Sequence, residues 1–143
     1  MTHLIHPGVV HFAVAFLVVG GCAEAFGLIA RRAAWSRFGA PWVVIGTVWL
    51  VPTLVTGFLA QNAVDVPAGA EGTLALHERI GLALFAVFAV ALFWKAWVRG
   101  QLPDSHRLPY AVYLLAGVLL AAYGAFLGGE LVYVHAVGVG IAR

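Results

Sequence analysis

Four long apolar stretches, separated by short polar ones, dominate the chain. The first runs from about Leu4 to Ala30, and Glu24 is its only acid or base besides histidine. The second, from about Phe38 to Ala60, carries no charge. The third, from about Leu74 to Val98, has His77, Glu78 and Arg79 at its start and Lys95 near its end. The fourth, from about Leu108 to Val134, is uncharged until Glu130. A membrane-crossing helix takes roughly 20 apolar residues, so each stretch is long enough to span, and a fifth does not fit. A membrane β-barrel would instead show alternating polarity in segments of about ten residues. The pattern predicts an all-α fold, a four-helix transmembrane up-down bundle forming one domain over residues 1–143.

Prolines refine the elements. Pro7 suits the first position of span one with His6 as its cap, and Pro109 suits the same place in span four. Pro41 and Pro52 lie within span two. Pro52 is interior and should kink that helix, which a bundle tolerates when neighbours re-satisfy the backbone. Val19-Gly20-Gly21-Cys22 faintly resembles a lipoprotein cleavage site, but no basic stretch precedes the apolar run and the span continues to Ala30.

Composition agrees with the pattern. Apolar residues make up 63% and charged residues 10%, whereas a soluble domain runs near half and a quarter; mean hydropathy is +0.98. The single cysteine, Cys22, excludes an internal disulfide and a cysteine-based zinc site. No C-x-x-C-H, P-loop or G-x-G-x-x-G motif occurs, which leaves no covalent haem attachment and no phosphate cradle of those kinds.

Charge sets the expected orientation. Arg31, Arg32 and Arg37 follow span one, and Lys95, Arg99 and Arg107 flank the loop between spans three and four. The opposite side has Arg79, Arg143, Asp65, Glu71 and Glu78. By the positive-inside rule, both termini and the 61–73 loop face outward, to the periplasm. Trp35, Trp94 and Trp97 cluster near the basic side, as interfacial anchors should. The net charge of +2 is then a matter of topology and makes no case for nucleic acid.

Candidate chemistry lies at the outward end. His3, His6, His11, His77 and His135 all fall there, and His106 alone falls in a basic-side loop. Ionisable residues in membrane spans are functional candidates by default. Clustered histidines can hold a b-type haem, bind a transition metal ion or relay protons. They can also sit idle at the interface. His6 and His11 stand about 140° apart on an ideal helix, so they do not easily bite one small ion if His6 is helical. Ligands on different helices suit a flat porphyrin. A porphyrin also needs bare helix surface: Gly117, Ala121, Gly124 and Gly128 form a small-residue stripe, Gly81 lies one turn after His77, and Ala15 one turn after His11. The stripe reads equally as a close helix-packing face. Arg79 can neutralise a haem propionate or a lipid headgroup. Glu24 is expected to pair with Arg31 or Arg32, and Thr53 and Thr56 to bond back to helix carbonyls.

Three segments resemble a bacterial membrane family: His6-Pro7-Gly8-Val9-Val10-His11-Phe12, Thr56-Gly57, and Gly128-Gly129-Glu130-Leu131-Val132-Tyr133-Val134-His135-Ala136-Val137-Gly138-Val139, with His77 fitting as well. The chain is similar over nearly its whole length to domain-of-unknown-function family 2231, which reads HPxxVHFPIAL at its start and GGxLVYxHGxGV at its end. Departures are Ala13 where proline is frequent, Asn62 where an acidic-aromatic pair occurs, and Ala136 where glycine is usual. The resemblance implies four membrane helices and points to His6, His11, His77 and His135 without supplying a chemistry.

The leading expectation is an electron-transfer protein of the bacterial inner membrane, a multi-pass cytochrome b-like carrier or subunit rather than a stand-alone enzyme. It would hold one or two haem b groups near the periplasmic face. His11 with His77 is the first ligand pair, on the ground that spans one and three can lie on a diagonal. His135 and His6 would serve a second haem or support the first, and Arg79, Gly81 and Gly128 would complete the cofactor-binding set. A periplasmic cytochrome or a larger respiratory or photosynthetic complex would be the partner, and a homo-oligomer is compatible. Two alternatives are a non-redox assembly subunit of such a complex and a copper- or zinc-binding protein, for which His3 and His6 would matter more than His77.

Overall fold

Long apolar runs in lipid must satisfy every backbone N–H and C=O internally, and a helix does this within one segment. A computed structural model describes residues 5–139 and shows four helices. They are α1 (Ile5–Ile29), α2 (Ala33–Gln61), α3 (Glu71–Trp97) and α4 (Asp104–Tyr133). All four are long and apolar enough to cross a membrane. Short connections make neighbours antiparallel, so Ile5, Gln61, Glu71 and Tyr133 gather at one end. Each helix packs against two others; α1 and α3 occupy one diagonal, α2 and α4 the other.

Three helices start earlier than hydropathy implies. α2 begins at Ala33 instead of Phe38, α3 at Glu71 instead of Leu74, and α4 at Asp104 instead of Leu108. The extra turns are polar or interfacial, and helix propagation needs only the backbone, not lipid. His106 therefore lies in the first turn of α4 and accepts a hydrogen bond from Trp94 Nε1 at 3.2 Å. Pro109 is inside α4, whose N-cap is Pro103. His6 lies within α1 rather than capping it. α1 and α3 end alike: Arg31 (φ 54°) and Arg99 (φ 52°) turn left-handed, and the N–H groups of Arg32 and Gly100 donate to Gly27 O and Lys95 O at 2.8 Å. These are Schellman closures.

Glycines set the tightest contact, between α1 and α2. A Cβ on Gly27 would sit 2.2 Å from Ser36 N, and one on Gly39 would sit 2.4 Å from Glu24 N. Without a hydrophobic drive between helices in lipid, small residues let backbones approach and gain dispersion contact. Trp49 Nε1 adds a hydrogen bond to Val9 O at 3.0 Å.

The two hairpins, α1–α2 and α3–α4, are copies of one plan. Residues of the first recur 71 positions later, the separation of Glu24 and Lys95. Leu17 and Phe88 are fully buried counterparts, as are Val43 and Leu114. Gly46 receives Leu17, and its counterpart Gly117 receives Phe88. Gly57 receives His6, and its counterpart Gly128 receives His77. The hairpins share the same up-down sense, so a pseudo-two-fold axis runs along the bundle.

Glu24 is fully buried and forms its ion pair with Lys95 across the α1–α3 diagonal. This corrects the expected pairing with Arg31 or Arg32: both arginines lie beyond the end of α1, while Glu24 points into the bundle. Below that pair and around it the core is dense. Towards the opposite end it thins. α1 buries nothing before Ala13, α2 nothing after Thr53, and α3 nothing before Leu84, while α4 adds Leu127 and Leu131.

Two outcomes follow from this packing. Gly27→Ala should destabilise the bundle by about 1–3 kcal/mol, whereas Gly72→Ala, with open space around it, should be neutral in the same detergent unfolding titration. Lys95→Met strands a buried carboxylate and should cost about 3–5 kcal/mol, and adding Glu24→Gln should recover much of that loss.

Candidate functional site

The end of the axis where α1 begins and α4 finishes holds the histidine site. Helix α1 carries His6 towards α2, and α3 carries His77 towards α4. Their ring centroids lie 6.4 Å apart with planes at 79°. Both rings are half-buried. They are counterparts under the repeat, so each touches its own symmetry mate, as residues beside a two-fold axis do.

The hydrogen bonds fix which ring nitrogens are available. The Thr56 hydroxyl has one proton, directed at Pro52 O (2.8 Å) with Thr53 O also close (3.1 Å). It must then accept from His6, whose Nδ1 is 3.2 Å away. His77 Nδ1–H donates to Gly124 O at 3.0 Å. Both imidazoles are therefore the Nδ1–H tautomer, and each Nε2 keeps its lone pair. A neutral imidazole held at Nδ1 with Nε2 free is the usual state of a metal-ligating histidine.

Glycines hold the rings in place. A Cβ on Gly57 would lie 3.2 Å from His6 Cε1, and one on Gly128 would lie 3.2 Å from His77 Cε1. The small-residue stripe of α4 thus serves two purposes. Gly117 packs against Phe88, while Gly128 makes room for a histidine.

The other expected site residues are dispersed. His11 is exposed, and its Nδ1–H donates to the Pro7 carbonyl of its own helix. With His6 helical, the two side chains leave α1 on different faces, and His6 rather than His11 meets His77. His135 follows the end of α4 and is half-buried, outside the pair. Arg79 is exposed, and Gly81 faces Leu54. His3 lies outside the described residues. Among the described residues no three His, Cys, Asp or Glu side chains converge as metal ligands, so His6, His11, His77 and His135 do not form one polydentate site.

A family model described as a predicted membrane protein, DUF2231, matches residues 2–140. The chain belongs to the DUF2231 family. Comparison with curated proteins and with solved structures finds no match. Ala136 takes φ 55°, a left-handed conformation that glycine adopts without strain.

Gly57 entered the sequence reading only as part of the resemblance, and Thr56 otherwise only as a helix back-bond; the structure also sets its hydroxyl beside a histidine ring. The signal was present: histidines, glycines and an acid–base pair all repeat at a separation of 71.

Nitrogen-15 NMR of histidine-labelled protein should show both His6 and His77 with the proton on Nδ1. Thr56→Val removes the acceptor of His6 and should release that ring alone to a tautomer mixture, leaving the His77 signals in place.

Proposed function

We propose that this DUF2231 protein is a membrane electron-transfer carrier or subunit that holds a b-type haem between His6 and His77. The observation that carries the reading is the paired rings, each held at Nδ1 and with no Nε2 hydrogen bond among the described residues. A metal–nitrogen bond of about 2.0 Å plus about 1.1 Å to the ring centre puts two imidazoles on opposite sides of one ion about 6.2 Å apart. The rings stand at 6.4 Å. Donor chemistry agrees, since two neutral histidines are a common axial pair for low-spin haem iron.

Haem supplies reversible one-electron chemistry. The chain's own part is positional. Thr56 and Gly124 O orient the two ligands, Gly57 and Gly128 leave their rings space, and the sparsely filled outer third offers surface for a planar group. The pseudo-two-fold favours a ligand with two equivalent faces, one for each hairpin. The positive-inside rule favours the periplasmic face of a bacterial inner membrane for this end, which would put it within reach of a soluble cytochrome or a larger respiratory or photosynthetic complex.

A second reading rests on the same distance. A two-coordinate monovalent copper ion also takes two imidazoles in line, and needs no planar slot. The spectrum separates the two. Protein purified in detergent after expression with ample haem should show a Soret band that shifts on dithionite reduction, with sharp α and β bands. His6→Ala and His77→Ala should each abolish it, and His11→Ala should leave it intact. A colourless protein holding about one copper per chain would favour the second reading. A colourless, metal-free protein would remove both.

A further inference from the structure

The opposite end of the bundle carries a different chemistry. A cavity of about 840 Å³ opens there between the α1–α2 and α3–α4 connections. Arg31, Arg37, Lys95 and Arg107 line it, against one lining carboxylate, Asp104. Asp104 is taken by Arg107 at 3.0 Å, and Lys95 is held at the cavity wall by Glu24. Among the described residues Arg31 and Arg37 have no carboxylate partner. Four cations against Glu24 and Asp104 leave two positive charges on the cavity.

Its position adds to its charge. Trp35 and Trp97 flank this end, 51% and 76% exposed, as tryptophans do at headgroup depth. Gly27, Leu28, Ala40 and Leu102 give the wall an apolar part beside the cationic one. Arg32, the N-cap of α2, forms no side-chain cap; Trp35 and Ser36 N–H donate to Arg32 O, which leaves the N–H of Ala33, in the cavity wall, without a partner among the described residues. The wall is thus part apolar, part guanidinium, at the level where lipid phosphates lie.

We propose that this cavity binds a phosphate group, presented by the headgroup of an acidic phospholipid. Guanidinium forks match phosphate oxygens two at a time. Basic pockets between membrane helices on the cytoplasmic side are suited to anionic headgroups. The site is independent of the histidine pair, which lies at the other end of the axis.

The test uses the full chain purified in a zwitterionic detergent. Phosphatidylglycerol, phosphatidylcholine and inorganic phosphate are titrated separately, with binding read by native mass spectrometry and by the unfolding midpoint. Arg31→Gln with Arg37→Gln removes the two unpaired cavity arginines. Arg32→Gln with Arg99→Gln removes the same charge from the same end, outside the cavity lining. Phosphatidylglycerol should bind the wild type and the second variant alike and the first variant roughly thirtyfold more weakly, at about 1 kcal/mol per arginine. Phosphatidylcholine should bind none of them above background. Inorganic phosphate that binds as tightly as the lipid and displaces it would retain the phosphate site and overturn the lipid source. Equal weakening in both variants would mean diffuse surface attraction and overturn the site.

Discussion

A carboxylate buried among apolar helices must bring its counter-charge with it. Glu24 and Lys95 meet this demand across the bundle, and the rest of the arrangement depends on that contact. Taking an ion out of water costs several kcal/mol, and only a close, well-formed pair offsets it. The pair therefore has little tolerance for sliding. It joins the first helix of one hairpin to the first helix of the other, where the helices themselves do not pack directly. Slippage between hairpins by one helical turn, about 5.4 Å, would separate the charges. The same register brings His6 to His77. A polar contact at one end of the axis thus fixes the spacing of two imidazoles at the other.

Within each hairpin, packing comes from small residues rather than from charge. The α1–α2 contact is closest where Gly20, Gly27, Gly39 and Gly46 meet backbone or side chain at distances no Cβ would allow. In the α3–α4 hairpin the equivalent contacts are looser and involve Phe88, Val87 and Ile80. The repeat conserves the plan and varies the filling. Where the plan places a side chain against its own counterpart, the two copies must be chemically complementary or chemically alike. Glutamate against lysine is the first case. Histidine against histidine is the second, and it gains most from a shared electrophile between the rings.

Much of this was legible in the sequence. Uninterrupted apolar runs gave four helices, because in lipid the alternatives leave backbone groups unpaired. The diagonal placement of α1 and α3 followed from up-down connectivity, and the threonine back-bonds followed from the lack of other partners in lipid, with Thr47, Thr53 and Thr56 each donating to a carbonyl of their own helix. The helices extend past the apolar spans at the starts of α2, α3 and α4, because hydropathy marks the lipid-facing core and not the polar turns beyond it. The expected pairing of His11 with His77 differs from the contact in the structure, where His6 is the histidine that meets His77. A histidine beside a proline at a helix entry reads as a cap, and the few degrees of turn that decide which face it occupies depend on where the helix begins. Glu24 was paired by sequence proximity with Arg31 and Arg32, whereas a membrane bundle brings residues far apart in sequence to the same depth.

The division between the two ends has a physical logic. The basic half is filled by Leu17, Phe88, Tyr110 and Leu114, all within 1% of full burial. Dense packing there can carry the fold by itself, since dispersion and the internal hydrogen bonds of the helices are the main attractions available in lipid. The histidine end is then relieved of much of the structural role, and groups that weaken packing can be placed there. Two half-buried imidazoles and the glycines facing them would be poor choices for stability alone. Side chains that must keep a fixed spacing need elements fixed elsewhere, and here the two imidazoles ride on α1 and α3, whose relative depth is set by an ion pair about 18 residues, or roughly 27 Å of helix, away.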